Sequence, residues 1–393
     1  MQSLRDRALS VLKKKEPYRL PWFGDLSYWY YAMLRKGNLE KKYLGPDGII
    51  NLHNDLNCGF YLQGYFPFKP VYSNCEVYEI ERNNNQISDF IFEYRCTKII
   101  KKENNDDIIR EVETPLGIIK EKWSYCKESY SLAPTQYFIN TVQDLKVFKY
   151  WVENTSYIPN YKQAYIVKNM VGDLGFTLCY LPRSPLMQFI VEYAGIVNTV
   201  NVMMTDKKLF NETIKILEYK SDEAAEIALD SPAEFIMIPE NLSSDLVGKN
   251  FYEEYLRPYE EKWNKKINAK GKYSFIHMDG YLKGLLKEVS EAKFSVIEAM
   301  TPKPVGYIDI EEFSNYVKTD SIMWGGIPGA LFTASYNNEY FEEFVKKVID
   351  IMVSEPRYVL GIADQIPPDG IIERVKIVSD LVERYGIYKY KSK

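Results

Sequence analysis

The chain has 393 residues but only two histidines, His53 and His277. His277 sits in the apolar run YSFIHMD, two residues before Asp279. Alternate residues of a strand face the same side, so this imidazole and this carboxylate can converge on one point. An H-x-D pair at a strand end is half of a metal site, or else a hydrogen-bonded His–Asp pair. His53 lies in the helix-like GIINLHNDLN beside Asn54 and reads as structural. Carboxylates close several other apolar runs: Asp25 ends RLPWFGD, Glu240 follows AEFIMIP, Glu298 lies in FSVIEAM, and Asp364 ends YVLGIAD. A core disfavours unpaired charges, so acids in these places point to a site that solvent or a ligand reaches.

The runs that carry these groups recur in a regular order. AEFIMIP, YSFIHMD, FSVIEAM, SIMWGGI and YVLGIAD are each followed by an amphipathic helical stretch. They are continuously apolar, as strands buried on both faces must be. RLPWFGD, GFYLQG and AYIVKNM (164–170) supply three more strands. Eight β–α units predict an α/β fold, a closed (β/α)8 TIM barrel formed by a single domain over residues 1–393. Residues 70–135 break the alternation. Turn signals at Asn83–Asn85 and Asn104–Asp107 separate strand-like stretches, which predicts an antiparallel β-meander inserted after the second strand and before the helix near TVQDLKVFKYWVEN.

Barrel enzymes work at the C-terminal ends of their strands. His277, Glu240 and Asp279 are the catalytic candidates. Trp22, Asp25, Tyr28, Gln63, Asn169 and Trp324 are candidates for binding a substrate, with Trp29 and Tyr30 beside Tyr28. Gly325, Gly326 and Gly329 in MWGGIPGALF serve either a close backbone approach to a ligand or a tight turn.

The formal net charge of −4 gives no basic excess for nucleic acid or an anionic membrane. No apolar run reaches the roughly 20 residues of a membrane span, and the N-terminus lacks a signal-peptide pattern. Five scattered cysteines (Cys58, Cys75, Cys96, Cys126, Cys179) form no CxxC pair and predict neither a disulfide framework nor a sulfur-only zinc site. These features predict a cytoplasmic protein. Its 33 Tyr, 19 Phe and 6 Trp serve mainly packing.

FIHMDGYLKGLL, FSVIEAMTPKPVG and YVLGIADQIPPDGIIERVKIVSDLVERYG resemble the uroporphyrinogen decarboxylase superfamily in order and wording. RLPWFGDLSYWYY, ETPLGIIKEKWSY and PENLSSDLVGKNFYEEYLRPY resemble a methyltransferase-like branch of it that includes the corrinoid-linked O-demethylases. The resemblance spans nearly the whole chain and implies the same (β/α)8 barrel. The arginine-bearing R-Q-A-G-R-Y motif of true decarboxylases is replaced by RLPWFGDLSYWYY, so the resemblance does not extend to porphyrinogen decarboxylation.

For the methyltransferase branch, the resemblance implies zinc held by an H-x-C pair and a last-strand Cys. His277 matches the His, while Asp279 and Asp364 stand in the two Cys places. Glu298 sits like the Glu that joins the metal in cobalamin-independent methionine synthase. A Glu/Glu/His set, as in O-demethylases, would instead draw on Glu240, Glu253 or Glu254, and His277. Both ligand sets remain open. Carboxylates in place of thiolates suit an oxygen- or nitrogen-bound methyl group better than a thiol. The expected activity is zinc-dependent methyl transfer from a small O- or N-methylated substrate to a corrinoid brought by a partner protein, since no D-x-H-x-x-G segment is present. A homodimer is a further expectation. Two other readings stand beside this one: a metal-free lyase using the same acids, and a non-catalytic barrel that binds a small molecule.

Overall fold

The computed structural model describes residues 2–15, 17–79, 98–99, 108–127, 129–317 and 319–389. The eight barrel strands are β1 (Trp22–Gly24), β2 (Gly59–Tyr65), β3 (Gly175–Tyr180), β4 (Phe235–Leu242), β5 (Tyr273–Met278), β6 (Val296–Met300), β7 (Ile322–Pro328) and β8 (Tyr358–Ala363). All neighbours are parallel and the ring closes in sequence order, β8 returning to β1. The fold is a (β/α)8 TIM barrel.

Strand alternation sorts the side chains into two layers. Phe23, Tyr61, Phe176, Phe235, Met237, Phe275 and Trp324 point inward and form one cluster. Trp324 lies at its centre, 5.1 Å from Phe23, 5.2 Å from Tyr61 and 5.8 Å from Phe275 between ring centroids. The helix Leu4–Leu12 joins the cluster through Ala8, Val11 and Leu12. Arg5 fastens this helix, donating to the Gly175 carbonyl at 2.8 Å and pairing with Glu234 at 2.6 Å. The outward residues Ile236, Ile238, Ile276, Ile297, Met323 and Leu360 pack in the layer shared with the surrounding helices.

The expected third strand is a correction. AYIVKNM belongs to the helix Lys162–Val171, and β3 is the following GFTLCY. A seven-residue apolar run does not distinguish strand from helix by periodicity alone. The insertion is also richer than a meander. Strands Glu76–Glu79, Ile108–Thr114, Gly117–Cys126 and Ser131–Gln136 pair antiparallel, but Lys98–Ile99 adds in parallel to the first. A separate ribbon pairs Phe68–Tyr72 with Thr155–Pro159. Between them runs the helix Val142–Glu153, started by a capping box in which Thr141 and Asp144 exchange hydrogen bonds. The turn signals at Asn83–Asn85 and Asn104–Asp107 lie outside the described residues.

Pro185–Thr205 is a helical run of 21 residues, long and apolar enough to cross a membrane, with 50% of its most apolar window buried in the fold. It corrects the expectation that no run reaches that length. A core helix passes the same test.

In β7 the glycines serve close packing. Gly326 has φ +107°, and a Cβ there would lie 1.9 Å from the Tyr358 hydroxyl. That hydroxyl is buried and donates to the Gly325 carbonyl at 2.7 Å. Gly326→Ala is expected to destabilise the protein by about 3 kcal/mol, through overpacking and an unfavourable φ. Urea unfolding measures this directly, and an unchanged midpoint would contradict it.

Candidate active site at the barrel mouth

β5 and β6 are neighbours, and their register sets His277 beside Glu298. His277 shares inward parity with Phe275, and Glu298 with Val296. The Nδ1 of His277 lies 2.5 Å from Oε2 of Glu298, and the Tyr61 hydroxyl donates to Oε1 of Glu298 at 3.0 Å. Both oxygens of Glu298 are therefore engaged. With Nδ1 taken, Nε2 is the nitrogen of His277 available to a ligand.

Asp279 continues the parity of His277 beyond the end of β5, its backbone N–H tied to the Leu242 carbonyl at 2.9 Å. Asp364 follows directly on β8. Donor atoms of His277, Asp279 and Asp364 lie within 4.8 Å of one another. Burial works against the charge of His277, but Glu298 first, then Asp364 and Asp279, outweigh it and push its pKa up to about 9. Burial raises Asp364, reinforced by Glu298, Asp25 and Asp279 against the pull of His277, up to about 7.

This arrangement fits a metal ion. One imidazole and two carboxylates form a hard N/O donor set suited to a divalent cation. The Glu298 carboxylate on Nδ1 is the outer partner that metal-bound histidines characteristically have. Three protein ligands also leave a coordination position for a substrate, as catalytic sites require.

Asp25 completes the floor of the mouth. It is buried, with Oδ1 accepting from the Ser27 N–H and Oδ2 from the Gln365 amide, both at 2.8 Å. Burial raises its pKa against those hydrogen bonds. Tyr61 and Tyr180 both lie within electrostatic reach of Glu298, Asp25 and Asp364, and Tyr31 of Asp25. Sequence reasoning missed Tyr61, Tyr180, Tyr31 and Gln365. Tyr61 lies two residues before Gln63 in β2, so strand alternation held that signal. Tyr180 was hidden by the misplaced third strand.

Several expected site residues lie elsewhere. Glu240 shares the parity of Ile236 and Ile238 and faces the helices. Its Oε1 accepts from the Ser184 N–H at 2.7 Å, and it interacts electrostatically with Glu192 and Glu260. It does not join His277. Glu254 is exposed on the turn Tyr252–Leu256, and Glu253 pairs with Arg257 there. The Glu/Glu/His ligand set is thereby corrected. Glu298 bonds His277 and Tyr61 and is not among the three residues whose donor atoms converge. Trp22 points out of the barrel, its indole N–H donating to Ser379 at 3.1 Å. Asn169 is exposed on the helix Lys162–Val171. Trp324 is wholly buried beneath the site as its floor. Tyr28 donates to the Ser129 carbonyl, and Lys36 lies 4.1 Å from the Tyr130 ring, so these residues fasten the insertion to the first β–α unit. Trp29 donates to the Gly370 carbonyl and Tyr30 to that of Tyr43. The side chain of Gln63 lies outside the described residues. His53 is buried against the Cys58 carbonyl, and burial lowers its pKa to about 4, so it is a neutral structural histidine.

A closed parallel barrel with a buried histidine and carboxylates gathered at the C-terminal ends of its strands has the layout of a (β/α)8 catalytic scaffold. The chain belongs to the uroporphyrinogen decarboxylase (URO-D) family, whose model matches residues 185–385. Among solved structures it is similar to a methyltransferase from Methanosarcina mazei, with a TM-score of 0.58 at 11% identity over 98% of this chain and 99% of that one. An endo-beta-mannanase/endo-beta-glucanase from Prevotella bryantii is a more distant likeness, with a TM-score of 0.34 at 9% identity over 57% of this chain and 38% of that one. No curated protein matches the chain in sequence.

Proposed function

We propose that this barrel is a metal-dependent methyltransferase of the cytoplasm. It moves a methyl group from a small O- or N-methylated substrate to a corrinoid carried by a partner protein, with zinc as the metal. The observation that carries this reading is the convergence of His277, Asp279 and Asp364 at the mouth, with the histidine's Nδ1 already held by Glu298. The full-length likeness to a methyltransferase fold agrees with it.

His277, Asp279 and Asp364 would hold the metal. Once bound, it supplies a Lewis acid for the lone pair of the leaving oxygen or nitrogen. The chain's own groups do the rest. Glu298 fixes the tautomer and orientation of His277, and the Tyr61 hydroxyl fixes Glu298. Ser27 and Gln365 hold Asp25 in place beside them. Trp324 and its neighbouring rings close the floor against water. Carboxylates in place of thiolates leave the site hard, which disfavours a thiol substrate.

The test is elemental analysis after zinc loading, followed by spectroscopic detection of methyl transfer to free cob(I)alamin. The expected result is about one metal ion per chain and formation of methylcobalamin. A protein that retains no metal after loading would sink the proposal.

A further inference from the structure

We infer that Asp25 and Gln365 form a clamp that positions Asp364 for the metal. Neither belongs to the converging ligands; both act through the backbone next to one of them. This goes beyond the metal-dependent reading but rests on it.

Asp364 is the first residue past the end of β8, and the β7–β8 register ends one residue earlier, at Pro328 and Ala363. On the other flank of β8, the register with β1 covers only Trp22–Leu360 and Phe23–Gly361. Strand pairing therefore stops short of this ligand. Asp25, the first residue past β1, continues the seam where the ladder leaves off. Its Oδ2 accepts from the Gln365 amide at 2.8 Å, and its main-chain carbonyl accepts from the Ile366 N–H at 3.4 Å. One residue thus grips the two that follow Asp364. Asp25 is itself anchored. It is buried, and its Oδ1 accepts at 2.8 Å from the N–H of Ser27, at the start of the helix Ser27–Lys36.

Gly329, just past β7, meets the same segment from the other side. A Cβ there would lie 2.1 Å from the Gln365 carbonyl oxygen, so glycine is what lets the two backbones approach. β1 and β7 are the two neighbours of β8 in the ring, and Gln365 is held between their ends. Site residues must be kept within about 0.5 Å of their working positions by the packing and hydrogen bonds behind them. Glu298 does this for His277, and Asp25 with Gln365 does it for Asp364.

Two measurements test this without turnover: competition with a chromophoric chelator for zinc, and the visible spectrum of the cobalt(II)-loaded protein. Gln365→Met keeps the length and removes the amide. It is expected to weaken zinc binding by about tenfold. It should also alter the cobalt(II) absorption, which reports coordination geometry. Gln365→Glu sets two carboxylates face to face and is expected to weaken zinc as well, although added negative charge alone would strengthen it. Combining Gln365→Glu with Asp25→Asn rebuilds the bond with donor and acceptor exchanged, at the formal charge of wild type. That double variant is expected to recover most of the wild-type affinity and its spectrum. Being nearly isosteric, it also covers the case where Gln365→Met folds poorly. A role in folding alone would lower the urea midpoint of Gln365→Met while leaving zinc affinity and the cobalt(II) spectrum unchanged, which overturns the inference. So does a double variant that binds zinc no better than Gln365→Glu. Wild-type protein that takes up neither metal overturns the metal reading itself, and the clamp with it.

Discussion

His277→Ala is expected to remove nearly all bound metal from the zinc-loaded protein and, with it, methyl transfer. His277 supplies the one nitrogen donor of the cluster, and the loss leaves two carboxylates of like charge facing each other. Glu298→Gln should act differently. The amide keeps the shape and one acceptor oxygen but removes the charge on Nδ1, so metal affinity should fall by about 10- to 100-fold while the site still forms. Tyr61→Phe, one contact further out, should cost less again. Competition with a chromophoric chelator measures all three. The diagnostic is the order His277, Glu298, Tyr61. If the Glu298 variant loses as much metal as the His277 variant, Glu298 is a direct ligand and its assignment as an orienting group is wrong.

Glu240→Gln is expected to stabilise the protein at alkaline pH and to do little in acid. The wild-type carboxyl is buried between the barrel and the helices. Oε1 accepts from Ser184, and Oε2 has no hydrogen-bond partner among the described residues. Burial raises its pKa to about 7, with Glu192 adding to the effect, and Ser184 and Arg183 opposing it. Glu260, whose Oε2 accepts from Tyr252, is raised well above the usual carboxylate range by burial and by Glu240. The sign follows from the direction. Below pH 4.5 folded and unfolded chains both keep the proton, and there is no penalty. Between 4.5 and about 7 the unfolded chain ionises while the folded chain does not, so stability falls as pH rises. At about 1.4 kcal/mol per pH unit this destabilises by about 3 kcal/mol above neutrality. Glutamine removes the penalty while keeping the shape and the oxygen that accepts from Ser184. The melting temperature of the variant should exceed that of wild type by about 4 °C at pH 8, converging near pH 4. An equal gain at both pH values would show that packing, not ionisation, is responsible.

The second half of the barrel was legible because strands buried on both faces leave uninterrupted apolar runs. β4 through β8 fall within a few residues of their expected places. β3 was not, because GFTLCY is short and polar-interrupted while the helix before it carries the stronger apolar run. At the site, H-x-D spacing placed His277 and Asp279 together, and Asp364 joined them from the last strand. The same alternation excludes Glu240, which falls in step with Ile236 and Ile238 instead of Phe235 and Met237. Its position near a strand end outweighed its parity. The role of Glu298 depends on the register between β5 and β6, which one sequence does not contain. The hydrogen bond from Tyr61 crosses 237 residues of chain and leaves no local trace.

The helix Leu4–Leu12 plugs the N-terminal end of a barrel whose interior is already filled with aromatic rings. Among the described residues, this leaves the mouth as the way in to His277 and its acids. Substrate, demethylated product and the acceptor's cofactor must use it in turn, and none can pass another. In kinetic terms, product should compete with substrate, and a docked acceptor should slow the exchange of both. Turnover would then be paced by traffic at the rim, where the insertion is fastened by Tyr28 and Lys36. Loosening that fastening should alter rates of entry and release while leaving the metal ligands where they are.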